Sequence, residues 1–215
     1  RFILHRPVNI ASKEPYLTSI NLSFYKNSKN TYKPFEAQPM DDMNKPEAYS
    51  WIKAPRYNNL PFETGPLARM WLCGEYRNGV STMDRTIARV LEARKIASII
   101  NILLDNVIPG ETLQKEYSVP KTAAGKGLID TTRGSLGHWI KIENQVISFY
   151  QIITPSVWNL STKSSDGMRG TGEQALMGLP VNDINNPVEI GRTIRSFDPC
   201  VSCATHVYTG GKHIK

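Results

Sequence analysis

One segment governs how this chain can fold: residues 81–104, where apolar side chains recur at helical spacing. Ile87, Val90, Leu91, Ile96, Ile99, Ile100, Leu103 and Leu104 gather on one side of a helix. Ser81 can cap its N-terminus, Asp84 stands at N3, and Pro109-Gly110 closes it. A stripe of this kind is expected to face a core. With 215 residues the chain is long enough to bury one, as one large domain or two small ones.

The remainder is organised around that helix. Residues 1–50 are rich in Asn, Lys, Ser and Pro and read as an irregular, insertion-like segment, with short strands around Leu17 to Tyr25. Residues 51–60 are turn-like, with Pro55 and Asn58-Asn59. A helix is expected over Glu63 to Tyr76, with Gly65-Pro66 near its first turn, and Asn78-Gly79 marks a sharp turn. Lys121 to Gly134, with three glycines, reads as a loop. His138 to Ile142 and Val146 to Ile153 form a hairpin through Glu143-Asn144-Gln145. After a polar loop at 159–171, a short helix is expected over Gly172 to Met177. The last helix has Asn186 as cap, Pro187 at N1 and Glu189 at N3, with Ile190, Ile194 and Phe197 on one face. Pro199 stops it, so that Cys200 and Cys203 project from a loop.

Composition narrows the function classes. The net charge of +7, with 26 Lys+Arg, raises nucleic acid as a partner. The basic residues are scattered, however, and Arg85, Arg89, Arg94 and Lys95 are mixed with Asp84 and Glu92, so no nucleic-acid interface is expected. No run of 18 apolar residues occurs, so this chain is expected to reach a membrane only through partner subunits. The opening residues Arg1 to Arg6 lack an initiator Met and signal-peptide anatomy, which suggests a truncation point. Three cysteines do not make a disulfide framework, and Cys73 reads as a buried structural thiol.

The other two cysteines carry the chemistry, in Asp198-Pro199-Cys200-Val201-Ser202-Cys203 with His206 three positions on. Thiolates are soft ligands, and two at this spacing can grip one metal or bridge a pair. A structural zinc would want four protein ligands, with His206, His213 or Cys73 completing the set. A redox pair would normally open a helix, whereas this one follows a helix.

Other blocks share the chain with this cluster. Trp51-Ile52-Lys53-Ala54-Pro55-Arg56-Tyr57 is followed by Pro61-Phe62-Glu63-Thr64-Gly65-Pro66-Leu67-Ala68-Arg69. Arg133-Gly134-Ser135-Leu136-Gly137-His138-Trp139-Ile140 and Thr154-Pro155-Ser156-Val157-Trp158-Asn159 come next. In this order the blocks resemble the nickel–iron (NiFe) hydrogenase large subunit, most nearly the membrane-associated uptake type, over about residues 50 to 206. Retention of both Cys200 and Cys203 argues against the related complex I subunits, which lose them.

The resemblance implies an α+β, helix-dominated fold: the C-terminal part of the large-subunit domain over 51–206, with 1–50 a segment of the same domain. It implies reversible heterolytic cleavage of H2 at a nickel–iron centre with CO and CN ligands, beside a magnesium ion. Cys200 corresponds to the terminal nickel thiolate, which can receive a proton, and Cys203 to the thiolate that bridges nickel and iron. His206 and the backbone carbonyl of Ile152 correspond to magnesium ligands, with Lys53 in that ion's outer shell. Arg133 corresponds to the guanidinium over the open metal face and Asp198 to its carboxylate partner. Ser156 corresponds to the hydroxyl that bonds a cyanide, and Leu136 to an apolar neighbour of the diatomic ligands. The usual proline before the arginine is Thr132 here.

The family's nickel takes four thiolates, two of them from an N-terminal Cys-x-x-Cys that these 215 residues lack, so the fragment alone is expected to be inactive. The tail 207–215 is expected to be removed by a maturation protease. Electrons would leave through an iron–sulfur small subunit, on the periplasmic side of the cytoplasmic membrane. The alternative is a non-catalytic metal-binding or zinc-stabilised interaction domain built on Cys200 and Cys203.

Overall fold

The structure, a computed structural model, describes residues 16–18, 22–26, 31–36, 40–110 and 116–200, and two short strands at 208–209 and 212–213. The short strands β1 (Tyr16–Thr18), β2 (Thr31–Tyr32) and β3 (Pro55–Arg56) make an antiparallel sheet in the order β2-β1-β3. Helices α1 (Pro66–Leu72) and α2 (Thr82–Leu104) follow. Then come β4 (Thr122–Thr131), β5 (Gly134–Glu143) and β6 (Val146–Ile153), one antiparallel sheet in sequence order. The chain continues through α3 (Pro155–Asn159), α4 (Thr171–Leu176) and α5 (Val188–Ser196), and β7 (Tyr208–Thr209) pairs with β8 (Lys212–His213). Helices and an antiparallel sheet therefore share the described residues, an α+β arrangement. No helix among them is long and apolar enough to cross a membrane.

Helix α2 starts where expected. Ser81 Oγ accepts from the Asp84 N–H, and the Asp84 carboxylate accepts from the Ser81 N–H, a reciprocal capping box. Its end comes earlier than Pro109-Gly110, at Leu104, with Asp105 as C-cap. Apart from Leu91, which packs against the cluster between α1 and α2, the apolar stripe does not face a core within the described residues. Ile96, Ile99, Ile100, Leu103 and Leu104 are exposed, and the buried positions are Arg85, Ala88 and Glu92. The reason is ion pairing: Arg85 is buried against Glu63, and Glu92 is buried against Arg69 of α1.

Three further expectations are corrected. The segment 121–134 is not a loop but β4, paired in continuous register with β5 from Thr122↔Glu143 to Thr131↔Gly134. Gly125 and Gly127 lower strand propensity, yet a full ladder outweighs that local preference. The first helix is shorter than Glu63 to Tyr76, because Gly65 at φ +114° precedes Pro66 at N1 and Gly74 at φ +78° follows the C-cap. Cys73 is exposed rather than buried, since it occupies that C-cap while Leu67 and Met70 form the inward side of α1. The hairpin β5–β6 is as expected, and Asn144 and Gln145, at φ +52° and +63°, give the two positive-φ positions of a type I′ turn. Helix α5 is capped at Pro187, one residue after Asn186, and Ile190 is exposed while Thr193, Ser196 and Phe197 are buried.

Two cores result. Alternation along β5 and β6 sends Trp139, Phe149 and Ile153 inward onto Trp158 of α3, with Phe35, Tyr57 and Phe62 packed around them. Burying each such side chain contributes roughly 1.5–3 kcal/mol. Leu67, Met70, Tyr76 and Ala88 form the second cluster, between α1 and α2. The functional candidates lie where segments from both cores meet.

Candidate metal centre

Arg133 lies in the two-residue turn between β4 and β5, and that turn is held from two sides. Arg69 of α1 donates through Nη1 to the Thr131 carbonyl (2.8 Å) and through Nη2 to the Thr132 carbonyl (3.0 Å). On the other side the turn meets Thr64-Gly65 at a distance only glycine permits. A Cβ on Gly65 would stand 2.6 Å from the Arg133 carbonyl oxygen, and one on Gly134 (φ +130°) 2.3 Å from Thr64 Oγ1. Thr64 is fixed in turn by Asn159 of α3. The Asn159 Oδ1 accepts from the Thr64 N–H (2.8 Å) and its Nδ2 donates to the Thr64 carbonyl (3.0 Å), all buried.

The loop after α5 comes to this turn. Asp198 takes φ +53°, a left-handed conformation that reverses the chain at the helix end. Arg133 Nε donates to the Asp198 carbonyl (3.1 Å) and lies 3.2 Å from its Oδ2. Both contacts use Nε, so the two Nη groups have no partner among the described residues. Both side chains are nearly half exposed, so the pair acts more by orienting than by its Coulomb energy. Two residues on, the Cys200 N–H donates to Ser156 Oγ (3.1 Å). Ser156 is buried at the first turn of α3. Because its oxygen accepts that bond, the hydroxyl keeps a proton to donate elsewhere.

Four residues singled out in the sequence thus form two contacting pairs, Arg133–Asp198 and Cys200–Ser156, which the chain from Asp198 to Cys200 connects. Cys203 and His206 lie outside the described residues. Leu136 and Ile152 fall on the outward side of the sheet, with His138 and Tyr150, opposite the face that buries Trp139. Beside Ile152, Gln151 is buried and its Oε1 accepts from Lys53 Nζ (3.0 Å). Burial lowers the Lys53 ammonium to about 8. The Gln151 Nε2 is buried with no acceptor among the described residues. Among those residues no three His, Cys, Asp or Glu side chains form a metal cage.

Several supports carried no expected role in the sequence. Arg56, wholly buried, donates to Ser161 Oγ (2.9 Å) and the Thr162 carbonyl (2.7 Å), tying β3 to the loop after α3. Burial pulls its guanidinium down to about 10. Arg69, Arg85, Glu63 and Asn159 also belong to the quoted blocks or to α2. Their signal was an arginine, glutamate or asparagine set among apolar residues, where a buried polar group needs a partner.

Cys200 brings a single thiol, a soft donor, to this loop, with the Arg133–Asp198 pair and the Ser156 hydroxyl beside it. Comparison with known proteins gives the class. A family model for nickel-dependent hydrogenases matches residues 7–79 and 74–206, and this chain belongs to that family. It is 36% identical over 210 residues to the periplasmic NiFeSe hydrogenase large subunit of Desulfomicrobium baculatum, covering 85% of this chain and 40% of that protein. It is 38% identical over 190 residues to the uptake hydrogenase large subunit of Bradyrhizobium diazoefficiens, covering 74% of this chain and 32% of that one. The Ni-Fe-Se hydrogenase of Desulfovibrio vulgaris Hildenborough, solved in the as-isolated oxidized state, superposes with a TM-score of 0.80 at 34% identity. That match covers 89% of this chain and 44% of that one. The chain thus spans less than half the length of these relatives.

Proposed function

We propose that this chain supplies the C-terminal half of the thiolate socket, Cys200 and Cys203, of a hydrogenase that catalyses H2 ⇌ 2H⁺ + 2e⁻. The observation that carries the reading is the linkage Arg133–Asp198–Cys200–Ser156 in a member of the nickel-dependent hydrogenase family. A nickel–iron centre carrying CO and CN, when bound, supplies the heterolytic cleavage of H2. Cys200 Sγ would hold nickel and take up the proton. Cys203 would hold both metals. The Arg133 Nη groups would present positive charge and donors at the open side, with Asp198 fixing the guanidinium plane through Nε. Ser156 would donate its remaining proton to a cyanide nitrogen, and Leu136 would give the diatomic ligands an apolar neighbour.

A magnesium ion would take His206 and the Ile152 carbonyl. The orphaned Gln151 Nε2 beside Lys53 suits the outer shell of a hydrated cation, where bound water can accept a hydrogen bond. The four thiolates of the reading are not all here, because Cys73 is an exposed lone cysteine. The 215 residues alone are therefore inactive, and the exposed apolar face of α2 is covered by another part of the large subunit. An iron–sulfur small subunit takes the electrons, a protease removes 207–215 after metal insertion, and the enzyme works on the periplasmic side of the membrane.

The test is metal analysis with infrared spectroscopy and H2-driven dye reduction on the intact protein. Nickel with iron, bands from CO and cyanide, and dye reduction support the reading. Zinc alone, with no such bands, overturns it.

A further inference from the structure

The loop that presents Cys200 is gripped from behind by α2. Glu63 and Arg85 form a buried, two-pronged ion pair, Nε to Oε1 and Nη2 to Oε2, both 2.8 Å. The Arg85 guanidinium lies 3.8 Å from the centre of the Phe197 ring, itself buried. One turn along α2, Arg89 Nη2 donates to the Ser196 carbonyl (2.8 Å). Phe197 is the C-cap of α5 and directly precedes Asp198, Pro199 and Cys200. A desolvated ion pair is a weak source of stability, since apolar residues of equal volume commonly serve as well. Its distinctive property is geometric: the carboxylate fixes the guanidinium plane, and the plane fixes the ring stacked on it.

We propose that Arg85, oriented by Glu63, is a positioning residue that sets the Phe197 ring and so brings Asp198 to Arg133 and the Cys200 amide to Ser156. The proposal rests on the reading of Cys200 as a nickel ligand only for its consequence in catalysis. The positioning itself is read without metal.

Hydrogen exchange at the Cys200 amide, resolved residue by residue in the intact protein, measures it directly. That amide is protected by Ser156 Oγ in the wild type. The double variant Glu63→Met/Arg85→Met removes the pair without leaving a lone buried charge. It is expected to keep a cooperative melt while the Cys200 amide exchanges about tenfold faster through local opening. Arg85→Lys keeps the charge but loses the flat fork, and is expected not to restore protection. Should the double variant fail to fold, Phe197→Leu, which leaves the ion pair intact, decides the matter with the same expected acceleration. Unchanged exchange in a folded double variant, or in Phe197→Leu, overturns the proposal, as does full rescue by Arg85→Lys. Nickel content of the wild type tests the hydrogenase reading separately. A nickel-free wild type with an accelerated variant amide sinks that reading and keeps the positioning role.

Discussion

Replacing Asn159 with alanine is expected to cost this fold about 3 kcal/mol and to loosen the turn that carries Arg133. The estimate follows from what the amide touches. Asn159 makes two hydrogen bonds, both to the backbone of Thr64, which is also buried. Alanine leaves a buried N–H and a buried C=O without partners, and each such group costs about 1–3 kcal/mol. Water entering the space would relieve part of this, which places the sum in the lower half of a range of about 2–6 kcal/mol. For a chain of this size that corresponds to a drop of about 6–12 °C in melting temperature. Trp158 lies next to Asn159 and Trp139 lies in the same core, so tryptophan fluorescence in urea reports the loss. Asn159→Asp keeps the acceptor for the Thr64 N–H but sets a carboxylate against the Thr64 carbonyl, and is expected to cost at least as much at pH 7. A loss below about 1 kcal/mol in Asn159→Ala would refute the claim that this clamp holds Thr64-Gly65 against the Arg133 turn.

Three other outcomes follow from the geometry. Gly65→Ala meets both a positive-φ backbone (+114°) and the Arg133 carbonyl 2.6 Å from its Cβ, and is expected to cost about 2–4 kcal/mol in thermal melts. Lys53 has a folded-state value of about 8 against an ordinary 10.5. Between those values the unfolded chain binds more protons, so stability rises with pH there. Lys53→Met is expected to abolish that rise and to stabilise the fold below pH 8 by on the order of 2–3 kcal/mol, measured by urea denaturation across pH. Leu103 on α2 is exposed, so Leu103→Gln is expected to change the stability of the 215-residue chain by less than about 0.5 kcal/mol. A loss of 2 kcal/mol would show that this face is covered within the chain.

What could be read from the sequence was what local chemistry encodes. Ser81 and Asp84 specify the start of α2 by themselves, and Asn144-Gln145 lies between two β-rich runs, so helix start and hairpin were both legible. The β4 strand was not, because its Gly125 and Gly127 argue locally for a loop and only pairing with β5 makes the strand. The burial of α2 was misread for a related reason. Periodicity shows which residues form a stripe but not what covers it, and here the buried side is set by the partners of Arg85 and Glu92. At the site, the blocks drew attention to Arg133, Asp198, Cys200 and Ser156, and the structure sets Arg133 against Asp198 and the Cys200 amide against Ser156. The contacts that hold them, from Asn159, Arg69 and Arg85, span from 62 to 112 residues of chain and have no local signature.

The proposed function turns on Cys200 as a nickel thiolate. It is tested most directly by measuring nickel and iron in the intact protein and in Cys200→Ser, each purified under the same anaerobic conditions. Nickel and iron together are expected in the wild type, and loss of nickel in the variant, because a hydroxyl is a poor ligand for a soft metal. Nickel retained undiminished in Cys200→Ser, or zinc in its place in the wild type, would contradict it.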